Sequence, residues 1–116
     1  MEYKVKIERA EFYAYHGCYD LEQRVGNRFE VDLELSCHLE PNTQDDVTQM
    51  VSYLDAYNTL REQMARTQRT IEVVALNIIE ALKAGDSRIK GVKCKVSKLS
   101  PPLGGKVERA SVEFEI

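Results

Sequence analysis

The chain has 116 residues, of which 43% are hydrophobic and 30% are charged, and its net charge is −3 at pH 7. This length suits one domain, residues 1–116, and the composition is typical of a globular protein rather than a disordered or fibrous one. The acidic balance argues against a nucleic-acid partner, and no apolar run approaches the roughly 20 residues of a membrane-spanning helix, so no membrane partner is predicted.

The first predicted strand alternates apolar Tyr3, Val5 and Ile7 with charged residues. An aromatic stretch follows it and ends at His16-Gly17. A second strand over 27–39 is the clearest element of the chain, because apolar and polar residues alternate along its whole length. Such a pattern predicts one buried face and one solvated face.

Two helices are predicted next. Ser52 is a suitable N-cap for the first, whose apolar positions run at helical spacing from Leu54 to Met64. The second helix begins after Thr70 and carries an apolar stripe, and Gly85 suits the position just past its end.

Alternating segments at 92–97 and 110–116 predict two further strands, and the Pro-Pro and Gly-Gly pairs between them exclude a central strand there. The order is ββααββ, an α+β fold in which two helices cover one face of a four-stranded antiparallel sheet. The other face would place lysines on the first and third strands opposite acidic residues on the second and fourth. Two sheet edges stay open, and closing several such sheets into a barrel would protect them.

The three cysteines, Cys18, Cys37 and Cys94, lack CxxC spacing, so we expect no disulfide framework and a cytoplasmic protein. Cys37 and Cys94 share the apolar phase of their strands and are predicted to be core thiols. His16 and His38 have no cysteine or carboxylate at zinc-ligand spacing, so neither a metal site nor another cofactor is predicted.

Four residues are candidates for chemistry: Glu22, Tyr53, Glu72 and Lys98. The first three have ordinary explanations, namely a solvated loop carboxylate, an aromatic residue that anchors a helix, and an acidic side chain that offsets a helix dipole. Lys98 differs because it falls on the same side of its strand as Val96, on the apolar phase. A lysine there, just before a Pro-Pro loop, is a candidate acid or base.

The same segments resemble, in chain order, those of the dihydroneopterin aldolase family. The matching pieces are residues 12–17 (FYAYHG), Glu22, 25–26 (VG), 27–33, 46–53 ending in V-S-Y, 70–72 (TIE) and 96–102 (VSKLSPP). The resemblance covers essentially the whole chain. It implies the tunnelling fold, in which the sheets of a homo-oligomer, a tetramer or octamer, close into a barrel with active sites at subunit interfaces.

The resemblance also implies an activity. A lyase of this family would cleave 7,8-dihydroneopterin by a retro-aldol reaction to 6-hydroxymethyl-7,8-dihydropterin and glycolaldehyde, in folate synthesis, without a metal or a Schiff base. Lys98 would act as acid and base, Tyr53 would donate the last proton or stack on the substrate, and Glu22 would lie beside the reacting side chain. Glu72 would anchor the pterin. The other implied substrate contacts are Val51, Ser52 and Ile71.

Some points stay open. Gln49 and Met50 stand where the family more often has Asp-Thr, whose threonine helps to hold the pterin. One alternative is an epimerase of the same fold that acts on dihydroneopterin or its triphosphate, and a triphosphate would need extra lysines or arginines, of which the sequence shows no obvious cluster near Lys98. Another alternative is a non-catalytic pterin- or purine-binding module, with Glu72 as ligand-binding residue and Lys98 as structural residue.

Overall fold

The computed structural model describes all 116 residues as one four-stranded antiparallel sheet, in the order β1-β2-β3-β4, with helices on one face. The elements are β1 (Glu2–Ala14), α1 (Asp20–Val25), β2 (Asn27–His38), a 3₁₀ helix (Val47–Gln49), α2 (Tyr53–Met64), α3 (Ile71–Gly85), β3 (Ile89–Leu99) and β4 (Arg109–Glu115). The α+β class and the ββααββ order of the main elements are confirmed. The short helix α1 is an addition, since the sequence pattern assigned its residues to a loop.

A bulge in β1 keeps its apolar residues on the helix side of the sheet. The register against β2 shifts between Ile7 and Ala10, and Arg9 adopts a φ of 55° while its N–H donates to Asp32 Oδ1 at 2.9 Å. The extra residue changes the phase of the alternation from odd to even positions. Phe12 and Ala14 therefore face the core, as Ile7 does before the bulge.

The opposite face of the sheet carries the predicted alternation of charge. Lys6 pairs with Glu34, and Lys95 lies between Asp32 on β2 and Glu113 on β4. The one close ion pair in this set, Lys6 to Glu34 at 3.4 Å, is between partly exposed side chains and contributes little by itself. The pattern therefore supports strand register more than it adds stability.

Both long helices begin where the sequence predicted, and Ser52 is the predicted cap of the first. Ser52 Oγ accepts a hydrogen bond from the Asp55 N–H at 3.1 Å, and Thr70 Oγ1 accepts one from the Val73 N–H at 3.4 Å. Leu54, predicted to belong to the buried stripe of α2, is 63% exposed instead. It lies two residues before the buried Ala56, about 200° around the helix, and so points away from the sheet.

The core lies between α2, α3 and the sheet. The buried stripe of α3 consists of Val74, Ala75, Ile78, Ile79 and Leu82. Cys37 and Cys94 are completely buried among the strand residues, which confirms them as core thiols, and Gly85 is the last residue of α3 rather than the one after it. None of the helices has the length and apolarity required to cross a bilayer.

Candidate active site

A cleft of about 600 Å³ opens where α1, the start of α3 and the end of β3 meet. Four of the predicted site residues line it: Glu22, Ile71, Glu72 and Lys98. They come from three separate segments of the chain. The fold thus brings together residues that the sequence alone could only place on different elements.

Lys98 enters the cleft from β3, on the phase that the sequence predicted. It pairs in register with Phe29 on β2 and Ala110 on β4, and its side chain is only 14% exposed. Its Nζ donates to Glu22 Oε2 at 2.8 Å and lies 5.9 Å from the centre of the Phe29 ring. The amine is therefore held by one carboxylate above an apolar floor.

Glu22 is the carboxylate that receives this amine. The hydrogen bond from Lys98 holds the pKa of Glu22 below its ordinary value; partial burial works against this shift, and the backbone N–H groups of Tyr19 and Cys18 support it. Close packing fixes the carboxylate as well, because a Cβ on Gly17 would lie 2.4 Å from the Glu22 Cβ. Glycine at position 17 is thus required for Glu22 to reach Lys98.

Glu72 lies in the first turn of α3, where the helix dipole favours a negative charge. Its side chain is exposed and forms neither a hydrogen bond nor an ion pair within the chain. Thr70 caps the helix through the Val73 N–H, so the carboxylate of Glu72 is not needed for capping. Both of its oxygens are available to a ligand in the cleft.

The other predicted site residues lie at the opposite end of the sheet. The Val51 N–H donates to the Tyr3 hydroxyl at 3.0 Å, and Tyr3 pairs with Cys37 on β2. Phe29, the β2 partner of Lys98, precedes Cys37 by eight residues, which corresponds to about 26 Å along a strand. Both ends belong to the same four-stranded sheet, in a molecule that is 55 Å long.

Tyr53 is 71% exposed at this second end, while Val51 is buried and Ser52 is occupied as the α2 cap. Gln49 and Met50, the positions that depart from the family pattern, immediately precede this segment. Within one chain, none of these residues lines the cleft that contains Lys98. A single copy therefore carries two groups of predicted site residues, one at each end.

Two residues of the cleft region were not assigned a role from the sequence. Arg69 lines the cleft, and its Nη1 donates to the Cys18 carbonyl at 3.3 Å without any carboxylate partner. His16 lies behind the cleft and is 1% exposed. Arg69 could have been noticed as a basic residue directly before the Thr70 cap, whereas no periodic pattern marks His16 as buried.

The chain has no cluster of three or more His, Cys, Asp or Glu side chains placed to hold a metal ion.

Comparison with known proteins gives consistent matches over the whole domain. The family model described as FolB: Dihydroneopterin aldolase matches residues 5–115. A dihydroneopterin aldolase of Streptococcus pyogenes serotype M18 is 33% identical over 115 residues, which cover 97% of this chain and 96% of that protein. The Bacillus subtilis (strain 168) dihydroneopterin aldolase is 30% identical over 113 residues, covering 96% and 94%.

The structural comparison covers both ends of the sheet. The crystal structure of E. coli dihydroneopterin aldolase in complex with neopterin superposes with a TM-score of 0.85 at 25% sequence identity. It covers 97% of this chain and 97% of that one. The similarity therefore includes the cleft around Lys98 and the segment around Tyr53 alike.

Proposed function

The chain belongs to the dihydroneopterin aldolase family, and we propose from this membership how its residues share the work of the reaction. Its activity is that of a dihydroneopterin aldolase, a lyase that acts on a pterin. The observation that best supports the individual roles is the Lys98–Glu22 ion pair, which shares one cleft with the unpartnered carboxylate of Glu72.

The reaction would be the retro-aldol cleavage of 7,8-dihydroneopterin. The substrate has a C=N bond beside the carbon–carbon bond that breaks. As the side-chain hydroxyl loses its proton and glycolaldehyde leaves, the electron pair of the broken bond moves into the ring and the imine nitrogen takes up a proton. Protonation of the resulting enamine carbon, with release of the proton from the ring nitrogen, then restores the C=N bond and gives 6-hydroxymethyl-7,8-dihydropterin. Because the substrate supplies its own electron acceptor, neither a Schiff base with the protein nor a metal is required.

Lys98 is the proposed acid and base for the ring nitrogen. Its ammonium group is oriented by Glu22 and can pass a proton to the substrate directly or through a water molecule. Glu22, kept ionised by Lys98, would lie beside the reacting side chain, where a carboxylate can accept the proton of the hydroxyl. General acid–base catalysis of this kind contributes about 10²–10⁴-fold per group.

Glu72 is the proposed anchor of the pterin ring. The 2-amino group and the N3–H of a pterin form a pair of adjacent donors, which the two oxygens of one carboxylate match in a bidentate arrangement. Glu72 has no competing partner in the chain, and Ile71 lies next to it in the same cleft. The ring would thus be held at α3 with its side chain toward Lys98 and Glu22.

The remaining predicted contacts would come from a second copy of the chain. Tyr53 is exposed at the far end of the sheet, with Val51 and Ser52 beside it, and cannot reach Lys98 of its own chain. We propose a homo-oligomer, a tetramer or octamer, in which sheets join into a barrel and Tyr53 of one copy completes the site of its neighbour. Such an assembly would also cover the free edges of β1 and β4.

Turnover of 7,8-dihydroneopterin by the purified protein tests the proposed chemistry. We expect equimolar release of glycolaldehyde and 6-hydroxymethyl-7,8-dihydropterin, measured by aldehyde derivatisation and by chromatography. An isomerised pterin without aldehyde would instead identify an epimerase. Binding of the pterin without any conversion would identify a non-catalytic module.

Arg69 supports a second candidate, an epimerase or aldolase that prefers a phosphorylated pterin. A phosphate on the side chain needs a cation besides Lys98, whose charge is already balanced by Glu22. Arg69 lines the cleft and has no carboxylate partner, so its guanidinium can bind a phosphate.

Comparison of kcat/KM for dihydroneopterin and its triphosphate decides between the two substrates. If the phosphorylated form is the substrate, Arg69→Gln should reduce its kcat/KM about ten-fold or more and leave dihydroneopterin unaffected. Arg66→Gln is the matched control, because Arg66 is paired with Glu62 outside the cleft. If Arg69→Gln has the same kcat/KM as the wild type for both substrates, a phosphate-binding role of Arg69 is excluded.

A further inference from the structure

His16 makes a specific contact behind the cleft. Its ring is 1% exposed and meets the Phe29 ring edge-on, with 5.3 Å between the centroids. Its Nδ1 accepts a hydrogen bond from the backbone N–H of Gln68 at 3.1 Å. Phe29 in turn forms the floor beneath Lys98, so the ring touches both the support of Lys98 and the segment that leads into α3.

The contact with Gln68 is one half of a clamp. The Gly17 N–H donates to the Gln68 carbonyl at 3.0 Å, so both polar backbone groups of Gln68 are bound by His16 and Gly17. Next to it, the Cys18 thiol donates to the Arg69 carbonyl at 3.3 Å. Segment 16–18, which leads into α1 and Glu22, is thereby joined to segment 68–69, which leads into α3 and Glu72.

The polar character of His16 is not explained by packing. Its buried Nε2 forms no close hydrogen bond, and the nearby backbone of Met64 offsets only part of the cost of burying the polar ring. A phenylalanine would fill the same space without this cost. Because Nδ1 accepts a hydrogen bond, the neutral ring must carry its proton on Nε2. The histidine is therefore useful for the one thing that phenylalanine lacks, the acceptor at Nδ1.

We propose that His16 is a positioning residue for the pterin site: its neutral ring fixes segment 68–72, and with it Glu72, at a set distance from the Lys98–Glu22 pair. This inference rests on the proposed anchoring role of Glu72. His16 itself does not line the cleft and touches no substrate. Its effect is transmitted through the Gln68 backbone into the first turn of α3.

The proposal implies a dependence on pH. A protonated ring would present a second donor to the Gln68 N–H and break the clamp. The ring faces Phe29 from β2, the Gln68 N–H, and Lys98 from β3 as its charged neighbour. Burial lowers the pKa of His16 from its ordinary 6.5 and the charge of Lys98 acts in the same direction, while the backbone of Met64 opposes them. The clamp is thus intact at neutral pH and is lost only in acid, below the lowered pKa of His16, where the ring becomes protonated.

Two variants separate the acceptor from the shape. His16→Asn keeps an acceptor on Cγ, and His16→Phe keeps the ring volume without an acceptor. With neopterin as the probe, we expect His16→Phe to bind about ten-fold more weakly, because the hydrogen bond that positions the Glu72 segment is lost. The change in kcat should be smaller than the change in affinity. His16→Asn should retain most of the affinity, and only the wild type should show the additional loss of affinity in acid that accompanies protonation of the His16 ring.

Equal affinity of His16→Phe and wild type would overturn the proposal, and so would equal impairment of the Asn and Phe variants.

Amide hydrogen exchange and ¹⁵N NMR give a readout that needs no ligand. In the wild type we expect a protected Gln68 amide and an unprotonated Nδ1, and in His16→Phe a faster exchange at Gln68. An unprotected Gln68 amide in the wild type would contradict the clamp itself. If the clamp is present but no neopterin binds, the proposed function fails rather than the role of His16 in fixing this segment. If His16→Phe does not fold, the Asn variant and the wild-type pH profile decide.

Discussion

The two ends of the sheet differ in how complete they are. At one end, Lys98, Glu22 and Glu72 meet in one cleft and the first two form a close ion pair. At the other end, Tyr53 is exposed next to a buried Val51, and no predicted acid, base or anchor lies beside it. In the proposed assembly, one copy of the chain supplies two halves of a site about 26 Å apart, and a neighbouring copy unites them.

The two ends also differ in the contacts that build them. The Lys98 end depends on distant parts of the chain, since Glu22 and Lys98 are 76 positions apart and His16 and Gln68 are 52 apart. The Tyr53 end combines the local Ser52 cap with one distant contact, from the Val51 N–H to the Tyr3 hydroxyl 48 positions away, but the side chain of Tyr53 itself is 71% exposed. Substitutions at the Lys98 end should therefore affect chemistry, binding and folding to different extents, whereas those at Tyr53 should leave the fold intact.

The largest effect is expected at Lys98. Lys98→Met should lower kcat by about 10²–10⁴-fold because the proton donor for the ring nitrogen is lost, while neopterin affinity stays within a few-fold. Lys93→Met, on the same strand but on the polar face, serves as the control. Steady-state kinetics and a binding titration give both quantities. Near-normal turnover in Lys98→Met would show that the acid and base lie elsewhere.

Glu72 should show the complementary result. Glu72→Gln replaces one of two acceptor oxygens with a donor, so neopterin binding should weaken by about 10–100-fold, with a smaller change in kcat. Glu80→Gln, an exposed position on the same helix, should bind as the wild type does. Calorimetric titration measures both variants. Unchanged affinity in Glu72→Gln would leave the cleft without its proposed anchor.

A smaller effect concerns stability in acid. Because the pKa of Glu22 is lowered in the folded state by Lys98, the ion pair adds stability above about pH 4.5, and this contribution disappears as the pH falls through the folded-state pKa. Glu22→Gln should therefore be less stable than the wild type at pH 7, and the difference should shrink as the pH falls below 4.5. Urea unfolding at several pH values measures the difference. Glu11→Gln removes an exposed carboxylate that has no ion pair, so its stability relative to the wild type should not converge in acid. If the stability of Glu22→Gln does not converge with that of the wild type either, the assignment of the Lys98–Glu22 ion pair is contradicted.

Much of the scaffold could be predicted because its signals are local. The long alternation of β2, the Ser52 cap and the start of a helix after Thr70 each depend on neighbouring residues, and the structure contains all three. The position of Lys98 on the apolar side of its strand could also be predicted, since strand periodicity alone places it on the helix side of the sheet. The ion-pair partner of Lys98 could not be predicted, because no short sequence pattern connects Lys98 with Glu22.

Other features depend on tertiary structure that no short pattern encodes. The helix α1, which carries Glu22, has only six residues and begins after Tyr19, which is not a usual capping residue. The bulge at Arg9 changes the phase of β1 without a glycine to mark it. The burial of His16 depends on distant parts of the chain, including the Phe29 ring and the Gln68 backbone. The separation of Tyr53 from Lys98 likewise became visible only from the strand register.

The most direct test of a site shared between two copies is subunit complementation. Lys98→Met and Tyr53→Phe are each expected to be nearly inactive, and both should fold, since Tyr53 is largely exposed. After the two are unfolded together in equal amounts and refolded, about a quarter of the sites would combine an intact Tyr53 from one copy with an intact Lys98 from another. Recovery of about a quarter of the wild-type turnover is the predicted result. A mixture that stays as inactive as the separate variants would contradict the shared site.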